Sequence, residues 1–208
     1  MNKLMIAAIT IGAGAAAANA QITVTTDQAA FAGAVNVVDD YSSYISAGDP
    51  DITLVPGPTT LGYLTYAPSA GAADGDLELR DDSFGSGEPG LFAFLGIGSG
   101  FSFTVTAANG LPFDAFGIEV ISANSLGGTT ITTSNGDDLI VGDVLGDPGT
   151  GFVGFNAAAP FNSVTFTVTD PFFFNDTATT KIYANAVPAP GAAGLLGVAG
   201  LAAIRRRR

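Results

Sequence analysis

Between residues 21 and 186, apolar and polar side chains exchange places at every second position, the signature of half-buried strands rather than helices. "GFSFTVTA" (residues 100–107) puts Phe101, Phe103 and Val105 on one face and Ser102, Thr104 and Thr106 on the other. "QITVTT", "LGYLTYA", "LFAFLGI" and "FDAFGIEVI" continue the theme. In "FNSVTFTVT", Phe161, Val164, Phe166 and Val168 are the core candidates, with Thr165, Thr167 and Thr169 outside. The step from Phe161 to Val164 breaks strict alternation and predicts a bulge or strand start near Asn162.

Turn chemistry separates the runs. "TTITTSNGDDLIVGDV" predicts a hairpin, with Asn135-Gly136 supplying the positive φ of a type I′ turn. Gly57-Pro58, Asp147-Pro148-Gly149 and residues 85–90 are further breaks. Only "TDQAAFAGAV" (residues 26–35) predicts a helix, capped by Asp27 and rich in Ala. Roughly ten strands and one short N-terminal helix imply an all-β fold, an antiparallel β-sandwich with jelly-roll-like character. An up-and-down barrel is the alternative. No internal repeat stands out, which argues against a solenoid or propeller.

The two ends follow other rules. "MNKLMIAAITIGAGAAAANAQ" joins Lys3 to an apolar stretch and a small-x-small site, Ala18-Asn19-Ala20. It predicts a signal peptide over residues 1–20, cleaved after Ala20; an uncleaved anchor is the alternative. At the other end, residues 191–204 are uncharged and would span about 21 Å as a helix, short of a hydrocarbon core of about 30 Å. Arg205, Arg206, Arg207 and Arg208 follow and would hold that end on the cytoplasmic side. A short apolar helix with a basic stop suits a sorting signal over residues 187–208, or an ordinary membrane anchor.

Setting these ends aside sharpens the charge. Of seven basic residues only Arg80 and Lys181 remain, against all 19 acids. Such a domain repels nucleic acid and attracts cations, so no nucleic-acid partner is expected. The chain has no Cys, His or Trp. Thiol and Ser-His chemistry are thereby excluded, along with the usual nitrogen and sulfur metal ligands.

The tail resembles that of the PEP-CTERM family of surface proteins, in which a Pro-containing motif precedes the apolar helix and basic end. The matching residues are Val187-Pro188-Ala189-Pro190 followed by Gly191, with Ala where Glu is commonest, as in a VPAPG-type variant. The resemblance implies processing at the motif by an exosortase-like transpeptidase, after transient anchoring in the inner membrane. The body is similar to the β-sandwich ectodomains that often precede such tails. Phe116-Gly117-Ile118-Glu119-Val120, Phe152-Val153-Gly154-Phe155 and Pro160-Phe161-Asn162-Ser163-Val164-Thr165-Phe166 carry that similarity. Where those ectodomains often finish on a Gly-Ile-Asp-Asn-like strand, this chain has "TTKIYANAV".

Candidate chemistry is sparse. In "DGDLELRDD", Asp74, Asp76 and Glu78 share one strand face, and Asp81 or Asp82 follow in the turn. They form either an oxygen cage for Ca²⁺ or a solvated edge strand balanced by Arg80. A second acidic set, Asp137, Asp138, Asp143 and Asp147, surrounds the hairpin. Asp39-Asp40 beside Tyr41 and Tyr44 is either a sugar-binding mix of carboxylate and rings or a strand end with a buried Tyr. "PFFFN" (residues 171–175) is a sticky patch or a strand straddled by Phe, and Asn175-Asp176-Thr177 fits a glycosylation sequon. A glycosidase needs two carboxylates about 5–10 Å apart in a cleft, and nothing marks such a pair. No catalytic residue is assigned.

The expectation is therefore a 21–186 ectodomain of an exported, non-enzymatic bacterial surface or extracellular-matrix protein. Its partners would be the export machinery, an exosortase-like sorting enzyme and extracellular polysaccharide. A calcium-assisted carbohydrate-binding module is the alternative.

Overall fold

A computed structural model describes residues 21–46, 48–53, 58–68, 75–81, 88–95, 100–122, 129–146, 149–169 and 177–187. Alternation becomes strands, all paired antiparallel, in two sheets. The larger has eight strands. Its order is β1 (Ile22–Thr25), β12 (Gly151–Phe161), β9 (Phe113–Ser122), β14 (Thr177–Ala186), β7 (Gly90–Leu95), β6 (Gly75–Arg80) and β3 (Ile52–Thr53). Its eighth strand, β2 (Val37–Asp39), lies beside the C-terminal half of β14. The smaller sheet has six strands, in the order β11 (Asp138–Ile140), β10 (Thr129–Thr133), β13 (Ser163–Thr169), β8 (Gly100–Ala107), β5 (Leu64–Pro68) and β4 (Thr59–Leu61).

One hydrophobic core takes side chains from both sheets. Leu64, Tyr66, Phe103, Val105, Ile131, Val164 and Phe166 enter it from the smaller sheet. Phe113, Phe116, Ile118, Val120, Val153, Phe155, Phe161 and Ile182 enter it from the larger. Phe166 stacks on Phe103 at 4.6 Å and meets Phe116 of the opposite sheet edge-on at 5.9 Å. The break in alternation at Asn162 is where the chain changes sheets. Phe161 pairs with Phe113 in the larger sheet, and Val164 with Val105 in the smaller. The Asn162 backbone N–H donates to Ser134 Oγ at 2.8 Å across that corner.

Helix α1 (Gln28–Ala32) forms as its cap predicts: the Asp27 carboxylate accepts from the Ala30 N–H at 3.0 Å. It is shorter than the pattern of residues 26–35, ending at Gly33. Phe31 docks it on the outer face of the larger sheet, 5.2 Å from the ring of Phe152, which meets Tyr183 at 5.3 Å and 90°. Two glycines make the room. Gly117 and Gly154 are cross-strand partners, and a Cβ on either would come within 2.9 Å of the Phe152 ring. The glycines of Phe116-Gly117 and Phe152-Val153-Gly154-Phe155 thus have a geometric use: they hollow one face for two rings.

Several expectations need correction. The fold has fourteen strands and two helices among the described residues, against roughly ten and one. The second helix, α2 (Val141–Leu145), lies where a hairpin strand was expected to continue; Val141 is its buried anchor. The β10–β11 turn is not type I′. Gly136 has φ +89°, whereas Asn135 has no positive φ. Gly136 N–H donates to Thr133 O, and Thr133 N–H to Asp137 O, both at 2.9 Å, which is a type I turn closed by a glycine bulge. The Asn135 side chain instead ties the turn to β12 through the carbonyls of Ala159 and Pro160, each at 3.2 Å. "LGYLTYA" is not one strand either. Leu61 pairs with Leu64, and Gly62 (φ +54°) takes the first turn position of a tight hairpin.

Candidate functional site

The densest polar group inside the core surrounds Asp39. β2 hydrogen-bonds to β14, which carries Asp39 inward opposite Ile182 until only 8% of it is exposed. Its Oδ1 accepts from the Tyr41 backbone N–H at 3.2 Å, a two-residue turn that holds Tyr41 at φ +60°. That conformation is uncommon for an aromatic residue. Oδ2 accepts from the Tyr66 hydroxyl at 3.3 Å, and the Tyr66 and Tyr41 hydroxyls lie 3.4 Å apart. Both tyrosines are fully buried. The rings stand 6.4 Å apart and tilted. The hydroxyls of Thr179 and Thr180, at a bulge in β14, are buried without hydrogen-bond partners; that of Thr179 approaches Tyr41 without reaching bonding geometry.

Burial pushes the Asp39 carboxyl above the usual carboxylate range, and the charge of Asp40 adds to it, against the hydrogen bonds from Tyr41 and Tyr66. Burial likewise raises both tyrosine hydroxyls. Among the described residues no cation acts on Asp39. A buried acid would suit proton transfer, but its neighbours are core side chains. The centre is an internal polar knot that fixes β2 and the turn after it.

The other candidate lies open at the tips of two turns. Gly62, Tyr63, Ala108 and Asn109 line a depression of about 320 Å³. The Ala108 N–H donates to Tyr63 O at 2.9 Å, and Asn109 Oδ1 accepts from the Leu111 N–H at 3.0 Å. Tyr63 is 70% exposed, the most exposed large hydrophobic side chain described. Tyr44, half-buried, stands against Gly62 where a Cβ would project. An exposed ring beside an amide is the chemistry of a small polar-apolar ligand such as a sugar.

The Asp39-Asp40-Tyr41-Tyr44 stretch therefore divides. Asp39 and Tyr41 go to the core, Asp40 caps its own turn through Ser42, and Tyr44 backs the open depression. Tyr63, expected within the strand "LGYLTYA", and Asn109 carried no sequence signal for a site.

In the acidic stretch, Leu77 and Leu79 are buried and Glu78 faces away from them, as the period predicts. Glu78 accepts from Arg80 at 3.0 Å, and Asp81 accepts from the Gly48 N–H at 2.8 Å. Asp74, Asp82 and the side chain of Asp76 lie outside the described residues. Among the described residues no three carboxylates gather as an ion would need. The hairpin acids are spent locally: Asp138 accepts from Thr132 at 2.7 Å and Asp137 from Thr133 at 3.3 Å.

Val187 ends the described chain, its N–H donating to Pro112 O at 2.8 Å. Ala18, Ala20, Pro188, Ala189, Pro190, Gly191, Arg205, Arg206, Arg207 and Arg208 lie outside the described residues, as do residues 171–176 and Asp147. Among the described residues no helix is long and apolar enough to cross a membrane. Compared with family models, curated proteins and solved structures, the chain matches none.

Proposed function

We propose that this chain is an exported, non-enzymatic bacterial surface or extracellular-matrix protein, processed at its C-terminal tail by an exosortase-like transpeptidase. The observation that carries the reading is the order of the tail: Val187-Pro188-Ala189-Pro190-Gly191, an apolar run, then four arginines. The two sheets around one core are read as a β-sandwich of jelly-roll-like character, the ectodomain that the tail would display. In support, β14 ends at Ala186, one residue before the motif, and it is an interior strand of the larger sheet. A tether there would pull on the strand bonded to β9 along its length, rather than on an edge.

Intact mass spectrometry of the protein from the surface and medium of its host tests the reading. The expected chain begins at Gln21 and ends near the 187–190 motif. A chain that still carries Arg205 to Arg208 makes the tail a retained anchor and overturns the sorting.

A second reading, a calcium-assisted carbohydrate-binding module on the same surface, has the exposed Tyr63 ring beside Asn109 in its favour. A glycan array run with calcium and with chelator tests it, and equal silence on both removes it.

A further inference from the structure

The outward side chains of the smaller sheet form a grid in register. Thr132, Thr165 and Thr104 stand in one cross-strand row, and Thr130, Thr167 and Ser102 in the next. A third row runs from Ser163 through Thr106 and Thr65 to Thr60. The six strands carry one charged residue, Asp138, on edge strand β11. In a chain with 19 acids, that leaves this face nearly free of charge. Among the described side chains no aromatic ring points outward from these strands, since Tyr66, Phe103 and Phe166 are all buried.

The grid is built rather than loose. Thr104 and Thr165 share a hydrogen bond at 3.0 Å, and Thr60 and Thr65 one at 2.9 Å. A hydroxyl has one donor and two acceptor sites, so each pair still offers a proton and lone pairs outward. β-Branching restricts each Thr to few rotamers, so little order remains to be imposed on binding.

We propose that this face binds a single extended chain of a neutral polysaccharide, laid across β10, β13, β8 and β5. Three properties select that occupant. Apart from Asp138, which accepts from Thr132 at the β11 edge, the grid is uncharged, and it offers donors and acceptors together, matching a polymer of hydroxyls, while the acidic remainder of the domain repels anionic glycans. Neighbouring strands lie about 4.7–4.9 Å apart, comparable with one sugar unit of an extended glycan, so each strand addresses one unit. The sheet also twists by about 20–25° per strand, so a flat crystalline lattice meets only part of it, whereas one chain follows it. Each hydroxyl contact is weak because water competes for it. Binding therefore accumulates along the polymer, and free monosaccharide does not compete.

The inference rests on the display of the domain outside the cell and names what it meets there. Affinity electrophoresis of the full chain in mild detergent tests it, in gels holding a soluble β-glucan, a galactomannan or alginate. The expected result is saturable retardation by a neutral polymer, none by alginate, and no relief by free glucose or mannose. Thr104→Val, Thr132→Val and Thr165→Val together keep the side-chain shape and remove a row of hydroxyls. They should weaken binding at least tenfold with an unchanged melt, whereas Tyr63→Ala should bind as wild type. Equal migration in all three gels overturns the proposal, as does equal retardation by alginate, wild-type binding by the triple variant, or loss of binding in Tyr63→Ala. The mass of the chain recovered from its host is a separate readout, so failure of the display reading is distinguished from failure of the face.

Discussion

The two sheets finish their outer faces in opposite ways. On the larger sheet, Gly117 and Gly154 leave a hollow that Phe152 and Phe31 fill, and α1 covers them. Charge there is paired: Lys181 reaches Glu119 at 3.2 Å and Glu88 at 3.3 Å, and Gln28 of α1 donates to Glu119 and to the Tyr183 hydroxyl. On the smaller sheet short hydroxyl side chains fill the same positions, with no helix above them among the described residues. A face with room for rings becomes a second, minor core, and a face tiled by Thr stays wet. The contrast lies in residue size, because both sheets share the same pleat and a common core.

Removing the rings should break that contrast most. Phe152 is 5% exposed and touches both Phe31 and Tyr183. Phe152→Ala should cost about 3 kcal/mol in denaturant unfolding, as ring deletions in packed sites do. Filling the hollow attacks the same site from the other side. Gly117→Ala sets a Cβ 2.8 Å from Phe152 Cζ and should cost about 1–3 kcal/mol by overpacking. The double variant should be less destabilised than the sum, since the added methyl enters the space the ring vacates. Strict additivity would mean that the glycine and the ring do not share one cavity.

The covering helix can be loosened without touching the rings. Gln28→Ala loses hydrogen bonds of 2.7 Å to Tyr183 and 3.0 Å to Glu119, and should cost about 1 kcal/mol. Hydrogen exchange should then quicken in residues 28–32 while the strands keep their protection. For Lys181, burial works against its charge, but the bonds to Glu119 and Glu88 outweigh that and raise its pKa.

How much of this was legible in the sequence follows from the range of each signal. Period-two alternation is local, so spacing alone places Phe103 and Val105 on one face and Val164 and Phe166 in the core. The interruption near Asn162 predicts a bulge or strand start, but not the change of sheet that occurs there. The Leu61–Leu64 hairpin was hidden because a two-residue turn leaves alternation almost undisturbed. α2 was hidden because five residues containing Gly142, with no side-chain cap at Ile140, give no helical period. Docking of α1 depends on residues 31, 117, 152 and 154, whose meeting no local pattern encodes. At Asp39 the strand end with a buried Tyr was legible, since β2 ends there and Tyr41 is buried, but the inward course of the carboxylate was not. That course depends on a distant tyrosine, here Tyr66, which receives it inside.

Asp39 gives the comparison a third environment, neither the paired charge of one face nor the neutral grid of the other. Its carboxyl pKa is raised by burial, so the folded state prefers the protonated acid relative to the unfolded chain. Stability should be greatest below the unfolded value near 3.9 and fall as pH rises through the raised folded value. Asp39→Asn should flatten that dependence, melting higher than wild type near neutrality, with the gap closing as the pH falls. A constant gap across that window would assign the effect to packing rather than to charge.

The smallest expected effect bears directly on the wet face. Thr165 lies at the centre of the smaller sheet, between Thr132 and Thr104, and is half-buried. Val has the same shape and suits a strand as well as Thr does. Thr165→Val forfeits the 3.0 Å bond to Thr104, but water reaches both hydroxyls, so the change in stability should stay within about 0.5 kcal/mol. A loss well above that would make the Thr rows part of what holds the sheet together. An unchanged melt would mean that the hydroxyls add little to folding, so their alignment in three registered rows would be better explained by what the face meets in solution.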